Sequence, residues 1–343
     1  MLNIRIIYIC CLILTFASCK MKDEITCYGG SDSDLVQLLE KEGYTLKFYP
    51  SVSEALQNAP EKSGVLLLSD SYPVKGTSIS QEDESLIEAK SLRVLVEFPQ
   101  RIGTTDSSKS DTLNLERIVV CDSINTELPF MSLLSFNRCI LKETSDSINH
   151  PILVAAKVAG FDKAVYGLKD TETRPVLHYR TPHLLVSTTC ISHFASDRYM
   201  PEQKIKSLYE YIFRWLLSKN TVTFSSWITY ITPSYTPSDV LPENAGYESI
   251  KKGIEWFYNG HFLVNSEWKQ NWVDKYMGDG TMPIGPSIPD QFQNGDGSLG
   301  VLEGHMSEIR YDGSQLYRYW MRADVQGEAS YAFAAAGDLF ENK

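Results

Sequence analysis

Positive charge is what this sequence has little of. Its 343 residues carry 32 Lys and Arg against 43 Asp and Glu, a formal net charge of −11 at pH 7. Residues 1–18 hold one Arg and no acidic residue, so without them the balance is 31 against 43, or −12. A nucleic-acid binder shows a basic footprint, so no nucleic-acid partner is expected. Histidine is also scarce. There are six, His261 and His305 stand isolated, no HExxH occurs, and the seven Cys show no CxxC or Cys/His metal spacing. The segment NGDGS lacks the roughly twelve-residue frame of a Ca²⁺ loop. No metal and no cofactor is expected. Apolar runs of membrane-spanning length are missing too: Ile6 to Leu14 falls well short of the about 20 helical residues a bilayer needs. What remains is a globular composition, 43% hydrophobic and 22% charged.

The amino terminus reads as an address. Arg5 gives a short positive region, Ile6 to Leu14 an apolar one, and Phe16-Ala17-Ser18-Cys19 follows. This ending resembles a bacterial lipobox, with Phe16 where Leu is usual. The resemblance implies that residues 1–18 are a signal peptide, that Cys19 is lipidated, and that 19–24 is a tether. The expectation is an exported, membrane-anchored lipoprotein, periplasmic or at the cell surface. An ordinary cleaved signal with a coincidental Cys is the alternative. Cys27, Cys121, Cys139 and Cys190 lie in or near apolar runs and read as buried thiols, with one disulfide open to them in an oxidising compartment.

Residues 25–220 alternate strand-like and helix-like runs. ITCYGG, TLKFYPS, SGVLLLSD, RVLVEFP, LERIVVCD and HLLVSTTC read as strands, the third as one buried on both faces. SDSDLVQLLEKEG reads as a helix stopped by Gly43. ISQEDESLIEAKS reads as another, with Ser80 as N-cap and Glu82 and Asp83 in its first turn. Ile205, Leu208, Tyr209, Ile212, Phe213 and Leu216 recur at helical spacing. The alternation predicts an α/β fold, doubly wound, with a flavodoxin-like, mostly parallel sheet.

The stretches GVLLLSD, ISQEDESLIEAKSLRVLVEFP and LLVSTTCISHFASDRYMPEQKIKSLYEYIFRWLL carry a resemblance to the class I glutamine amidotransferase-like fold, in particular its ThuA-like branch, over this whole domain. An active amidotransferase needs a Cys on a tight strand-to-helix elbow with a partner His. Neither Cys121 in VVCDSIN nor Cys139 in NRCILK is flanked by Gly, and Cys190 is followed by Ile191-Ser192-His193 without an elbow. The domain therefore reads as inert, with a Cys190/His193 hydrolase as the rival. His193, Asp197, Arg198 and Tyr199 follow a strand's carboxyl end, where a small-ligand or subunit-contact site would lie. A polar loop capping the last helix is the plainer reading.

Composition shifts after Asn220. Pro233, Pro237 and Pro242 with many Ser and Thr mark a linker over 221–246, although TFSSWITYI is compatible with a strand. In 247–343, Tyr247, Ile250, Ile254, Phe257 and Tyr258 make a helical apolar face, and an Ala-rich helix ends the chain with Ala332, Ala335, Ala336 and Leu339 on one side. Trp256, Tyr258, Trp268, Trp272, Tyr311, Tyr317, Tyr319 and Trp320 are dense here, as in sugar sites, where aromatic faces meet pyranose C–H groups. Core packing is the alternative for about half of them.

DGSLGVLEGHMSEIRYDGSQLYRYWMRADVQGEAS resembles the early part of an (α/α)6-barrel, six-hairpin glycosidase-like domain. That resemblance implies a carbohydrate-active protein of the glycoside hydrolase type, with an oligo- or polysaccharide as partner. Glycoside hydrolysis commonly needs two carboxyl groups. Asp324, Glu303 and Asp296 are the catalytic candidates. Trp320, Arg322, Asp312, Gln315 and Glu328 are the substrate-binding ones. Asp324 as N-cap with Glu328 in the first turn, and Asp296-Gly297 and Asp312-Gly313 as plain turns, are the competing readings. A non-catalytic carbohydrate-binding or scaffold protein is the alternative function. A complete twelve-helix barrel needs roughly 300 residues, and 123 follow Asn220. The expected segment is thus a partial barrel, and the chain a fragment with no catalysis of its own.

Overall fold

The structure is a computed structural model. It describes residues 24–341 except 108, 145–147 and 149, so the signal, Cys19 and most of the tether lie outside the described residues. Nine strands form the central sheet: β1 (Glu24–Tyr28), β2 (Thr45–Phe48), β3 (Gly64–Leu67), β4 (Arg93–Glu97), β5 (Arg117–Val120), β6 (Leu133–Leu134), β7 (Leu153–Ala156), β8 (Thr173–Thr181) and β9 (Leu184–Ser187). Their order is β6-β5-β7-β8-β9-β4-β3-β1-β2. The pairs from β9 to β2 are parallel, and those from β9 to β6 are antiparallel. The chain is α/β, built on a large mixed sheet.

Helices cover both faces of the parallel half, which explains its continuous apolar strands. On one face α1 (Asp34–Lys41) and α4 (Glu202–Leu216) bring Leu35, Leu38, Leu39, Leu208 and Ile212 onto Ile25, Leu66, Leu95 and Leu185. On the other, α2 (Val52–Asn58) and α3 (Gln81–Ala89) bring Val52, Leu56 and Ile87 onto Val65, Leu67, Val94 and Val186. Ser80 caps α3 in a full capping box: its hydroxyl accepts from Asp83 N (3.1 Å), and Asp83 accepts from Ser80 N (3.0 Å).

Residues 221–231, expected as the start of a linker, pack on this domain instead. Phe224 and Trp227 are buried against it, Lys41 Nζ donates to Trp227 O (3.1 Å), and Tyr230 Oη donates to Asp34 (2.7 Å). TFSSWITYI is not a strand. Ile228 makes a single bridge with Ser196, because the segment's apolar residues face a helix rather than a sheet neighbour. The exposed Pro-rich stretch is confined to 232–244.

The carboxyl-terminal segment contains α5 (Ala245–Asn259), a helical stretch over 266–277 and α6 (Ala323–Leu339). Between them, 278–322 is a loop-rich run with three two-residue strands: β10 (Ile284–Gly285), β11 (Gly304–His305) and β12 (Tyr317–Arg318), in the order β10-β12-β11. Its core gathers Phe262, Val264, Trp268, Leu302, Tyr317 and Tyr319.

Candidate functional site

The strand β11 opens immediately after Glu303, and Gly304 pairs with Arg318 on β12. Glu303 N donates to Trp320 O (3.0 Å), so the two side chains that flank the hairpin base are held side by side. Arg318 Nη1 donates to Glu303 Oε1 (2.7 Å), and Arg322 Nη1 reaches the same oxygen (3.4 Å). Arg322 also grips Asp324 with Nε (3.1 Å) and Nη2. Glu303 Oε2 is buried without a hydrogen-bond partner among the described residues. Trp320 is partly exposed, its Nε1 donates to Gly280 O (3.0 Å), and the Arg318 guanidinium lies 5.5 Å from its ring centroid.

Of the residues expected at a sugar site, Glu303, Asp324, Arg322 and Trp320 thus come together, with Arg318 added. The bonds from Arg322 hold the Asp324 carboxyl below the usual carboxylate range. That suits a permanent anion, whereas a general acid needs its proton held near neutrality. Asp324 is not the N-cap of α6. Arg322 occupies that position without a capping bond, and Asp324 lies in the first turn with its carboxylate committed to that arginine.

The other candidates have local duties. Asp296 is exposed and accepts from Ser298 N (2.9 Å), an Asx turn whose hydrogen bonds keep its carboxyl low. Asp312 does the same with Ser314 N (3.0 Å) and Oγ (2.6 Å) at the hairpin tip. Gln315 Nε2 donates to Met306 O (2.9 Å) and closes that hairpin. Glu328 is exposed on α6. No hydrogen bond or ion pair among the described residues joins Asp296, Asp312 or Glu328 to the Glu303 cluster. Trp268, Tyr317 and Tyr319 are core, as Trp272 Nε1 donating to Tyr319 Oη (2.7 Å) illustrates, while Trp256 and Tyr258 are exposed on α5.

The α/β domain has its own polar focus, at the carboxyl edge of the parallel strands. Glu97 ends β4 fully buried. It accepts from Ser69 N (3.1 Å), Ser192 N (2.9 Å) and Ser192 Oγ (2.7 Å), and Cys190 Sγ lies 3.4 Å from it. Burial, then the Glu97 charge, pushes the Cys190 thiol well up. A nucleophilic Cys needs the opposite shift. His193 makes no hydrogen bond to Cys190 among the described residues. Its ring stands edge-on to Tyr311, 5.9 Å between centroids. Nothing in this geometry activates a Cys190/His193 pair. Sequence reasoning placed Arg318 only in the general polar set beside the aromatics, and it missed Glu97. The signal for Glu97 was present, an ionisable residue closing an otherwise apolar strand run.

The loop His193–Tyr199 is a seat for the carboxyl-terminal segment. Tyr199 Oη donates to Arg310 O (2.6 Å), Arg138 Nε pairs with Glu308 (2.9 Å), and Tyr311 packs edge-on against Tyr72, 4.6 Å between centroids. Gly313 sits against the Arg198 guanidinium with φ +77°, where a Cβ would both clash and strain the backbone. Arg198 in turn lies 3.3 Å over the Tyr230 ring.

Among the described residues no group of three or more His, Cys, Asp or Glu could hold a metal ion, and no helix is long and apolar enough to cross a membrane. Comparison with protein-family models, with curated proteins and with solved structures finds no significant match to this chain.

Proposed function

We propose that this is an exported carbohydrate-active protein, anchored to a membrane through lipid on Cys19, that binds an oligo- or polysaccharide without hydrolysing it by itself. On this reading the α/β domain is a doubly wound, flavodoxin-like relative of the glutamine amidotransferase-like fold. Residues 247–343 are then the start of a six-hairpin, glycosidase-like domain. The observation that carries the binding reading is the arginine bridge: Arg322 ties Glu303 and Asp324 together beside Trp320. Fixed donors and acceptors next to an indole face suit sugar hydroxyls and C–H faces. The same bridge holds the Asp324 carboxyl low, which removes that group as a proton donor and favours binding over glycoside hydrolysis.

Titration calorimetry against a panel of plant and host glycans tests this. Trp320→Ala and Arg322→Ala should each weaken binding of any ligand found by about tenfold, the equivalent of about 1.4 kcal/mol, with no reducing ends released. Release of reducing ends that stops in Asp324→Asn or Glu303→Gln would replace this reading with an enzymatic one. Mass analysis of membrane-extracted protein, compared with Cys19→Ser, tests the anchor.

A further inference from the structure

An open cavity of about 610 Å³ lies on the antiparallel half of the sheet, where the end of β5, the start of β7, the strand β8 and α4 meet. That volume is in the range of small-molecule sites. The cavity forms where the pairing of β7 with β8 loses its regular register, between Leu153 and Val154. Ile152 and Leu153 both join the core beside α4, whereas Val154 joins a separate cluster with Val119 and Ala156. Such a break in alternation bends the strand and re-aims its side chains. Backbone bonds fix the surroundings: Cys121 N donates to Ile152 O (2.8 Å), and Ile152 N donates to Leu177 O (2.8 Å).

The lining combines an apolar part with a negative one. Ile152, Val154 and Leu168 supply the apolar part. Tyr179 on β8 and Tyr211 on α4 set their hydroxyls 3.4 Å apart. Asp122 follows Cys121 at the end of β5, and among the described lining residues it is the only carboxylate, with no Lys or Arg. Its Oδ1 accepts from Ser123 N (2.7 Å), and no ion pair among the described residues neutralises it. Its field reaches the tyrosines. Burial, then Tyr211, then the Asp122 charge hold the Tyr179 phenol above its usual range, so Tyr179 stays a neutral hydroxyl.

We propose that this cavity binds a small organic cation, an amine carried on an apolar ring or chain. The apolar body takes the surfaces of Ile152, Val154 and Leu168 out of water. The ammonium meets the Asp122 carboxylate, and the tyrosine hydroxyl oxygens accept its remaining N–H bonds. A carboxylate of the same shape would meet like charge at Asp122, and a neutral alcohol would forgo the ion pair. The site shares no residue with the Glu303 cluster, so it stands or falls apart from the carbohydrate reading.

Cys121 supplies the reporter, since it lines the cavity and is the one thiol of the four that is not fully enclosed. Burial pushes it up to about 11, so its reaction is slow enough to follow by peptide mass mapping. The full chain is treated with methyl methanethiosulfonate, which modifies thiols and spares amines. His150 also lines the cavity, so the measurement is made at about pH 8, above the ordinary histidine range. Benzylamine, phenethylamine or cyclohexylmethylamine at millimolar concentration should slow modification of Cys121 by about fivefold, as occupancy of a site in excess ligand requires. Benzyl alcohol and benzoate should not. Asp122 is exposed, and Asp122→Asn keeps an acceptor for Ser123 N, so this variant should fold and lose the protection. Trp320→Ala should retain it. Cys27, enclosed on β1, serves as the control for unfolding. Failure of all three amines to protect Cys121 would overturn the proposal. Equal protection by benzyl alcohol or benzoate, or unchanged protection in Asp122→Asn, would do the same.

Discussion

At the scale of single residues, burial decides chemistry that composition leaves open. Four cysteines in a chain with a signal-like amino terminus suggest either thiols or a disulfide. All four are free thiols in the fold, and Cys27 and Cys139 are fully enclosed. Burial pushes each of these two thiols from 9.0 up to about 12. Between those values the unfolded thiol ionises while the folded one keeps its proton. The unfolded state then binds fewer protons, and stability falls as pH rises. The contribution is fully present below 9.0 and is lost towards 12. Urea midpoints followed from about pH 8 to about pH 10.5 should therefore decline, and Cys27→Ala should decline less steeply than the parent. Buried tyrosines such as Tyr199 and Tyr209 add to the decline with the same sign, so the difference in slope is the quantity to read. An identical slope in the variant would contradict the assignment.

At the scale of elements, signals confined to a few neighbouring residues were legible. Ser80 with acidic residues behind it announced α3, and the structure supplies both bonds of the capping box. Ser80→Ala should cost about 1 kcal/mol, read from the urea midpoint, with Ser85→Ala as an exposed control in the same helix. The i, i+3, i+4 pattern of α4 likewise matches its buried face. The antiparallel half of the sheet was less legible. Leu153–Ala156 is a strand made largely of helix-forming Leu and Ala, and Thr173–Thr181 contains Pro175. Both are strands because neighbours pair with them, a case where tertiary contacts override propensity. The reverse holds for α5: its apolar pattern is real, but Tyr247, Ile250 and Tyr258 are exposed, and α5 meets α6 through Phe257 against Phe333.

At the scale of the whole molecule, residues from Phe262 onward gather a buried cluster of their own, while residues just after Asn220 pack with the α/β strands and helices. Residues 222–228 belong energetically to the α/β domain, since Phe224 and Trp227 complete its core beside α1 and α4. Limited digestion with a broad-specificity protease should therefore cut first within 232–244, the exposed Pro-rich stretch. Intact mass should show an amino-terminal fragment that retains Ile231. A first cut before Phe224 would contradict the packing described. Part of the candidate site was also legible: Glu303, Arg322, Asp324 and Trp320 meet, as residues near one another in sequence often do. The pairing of Arg318 with Glu303 and the separation of Asp296 were not, because both depend on how the hairpin closes.

The sequence by itself determined the α/β character, the cap of α3, the buried face of α4, the parallel strands and the neighbourhood of the acidic and aromatic cluster. Each of these is written in the period or the turn chemistry of a short window. Only the tertiary structure decided that Glu97 is enclosed with Cys190 and Ser192, that Arg318 and Arg322 pair with Glu303 and Asp324 but not with Asp296, and that Tyr311 comes to rest on Tyr72. Those meetings join segments far apart in the chain, and they are selected by complementary packing and by the need to satisfy buried polar groups, neither of which has a local spacing to read.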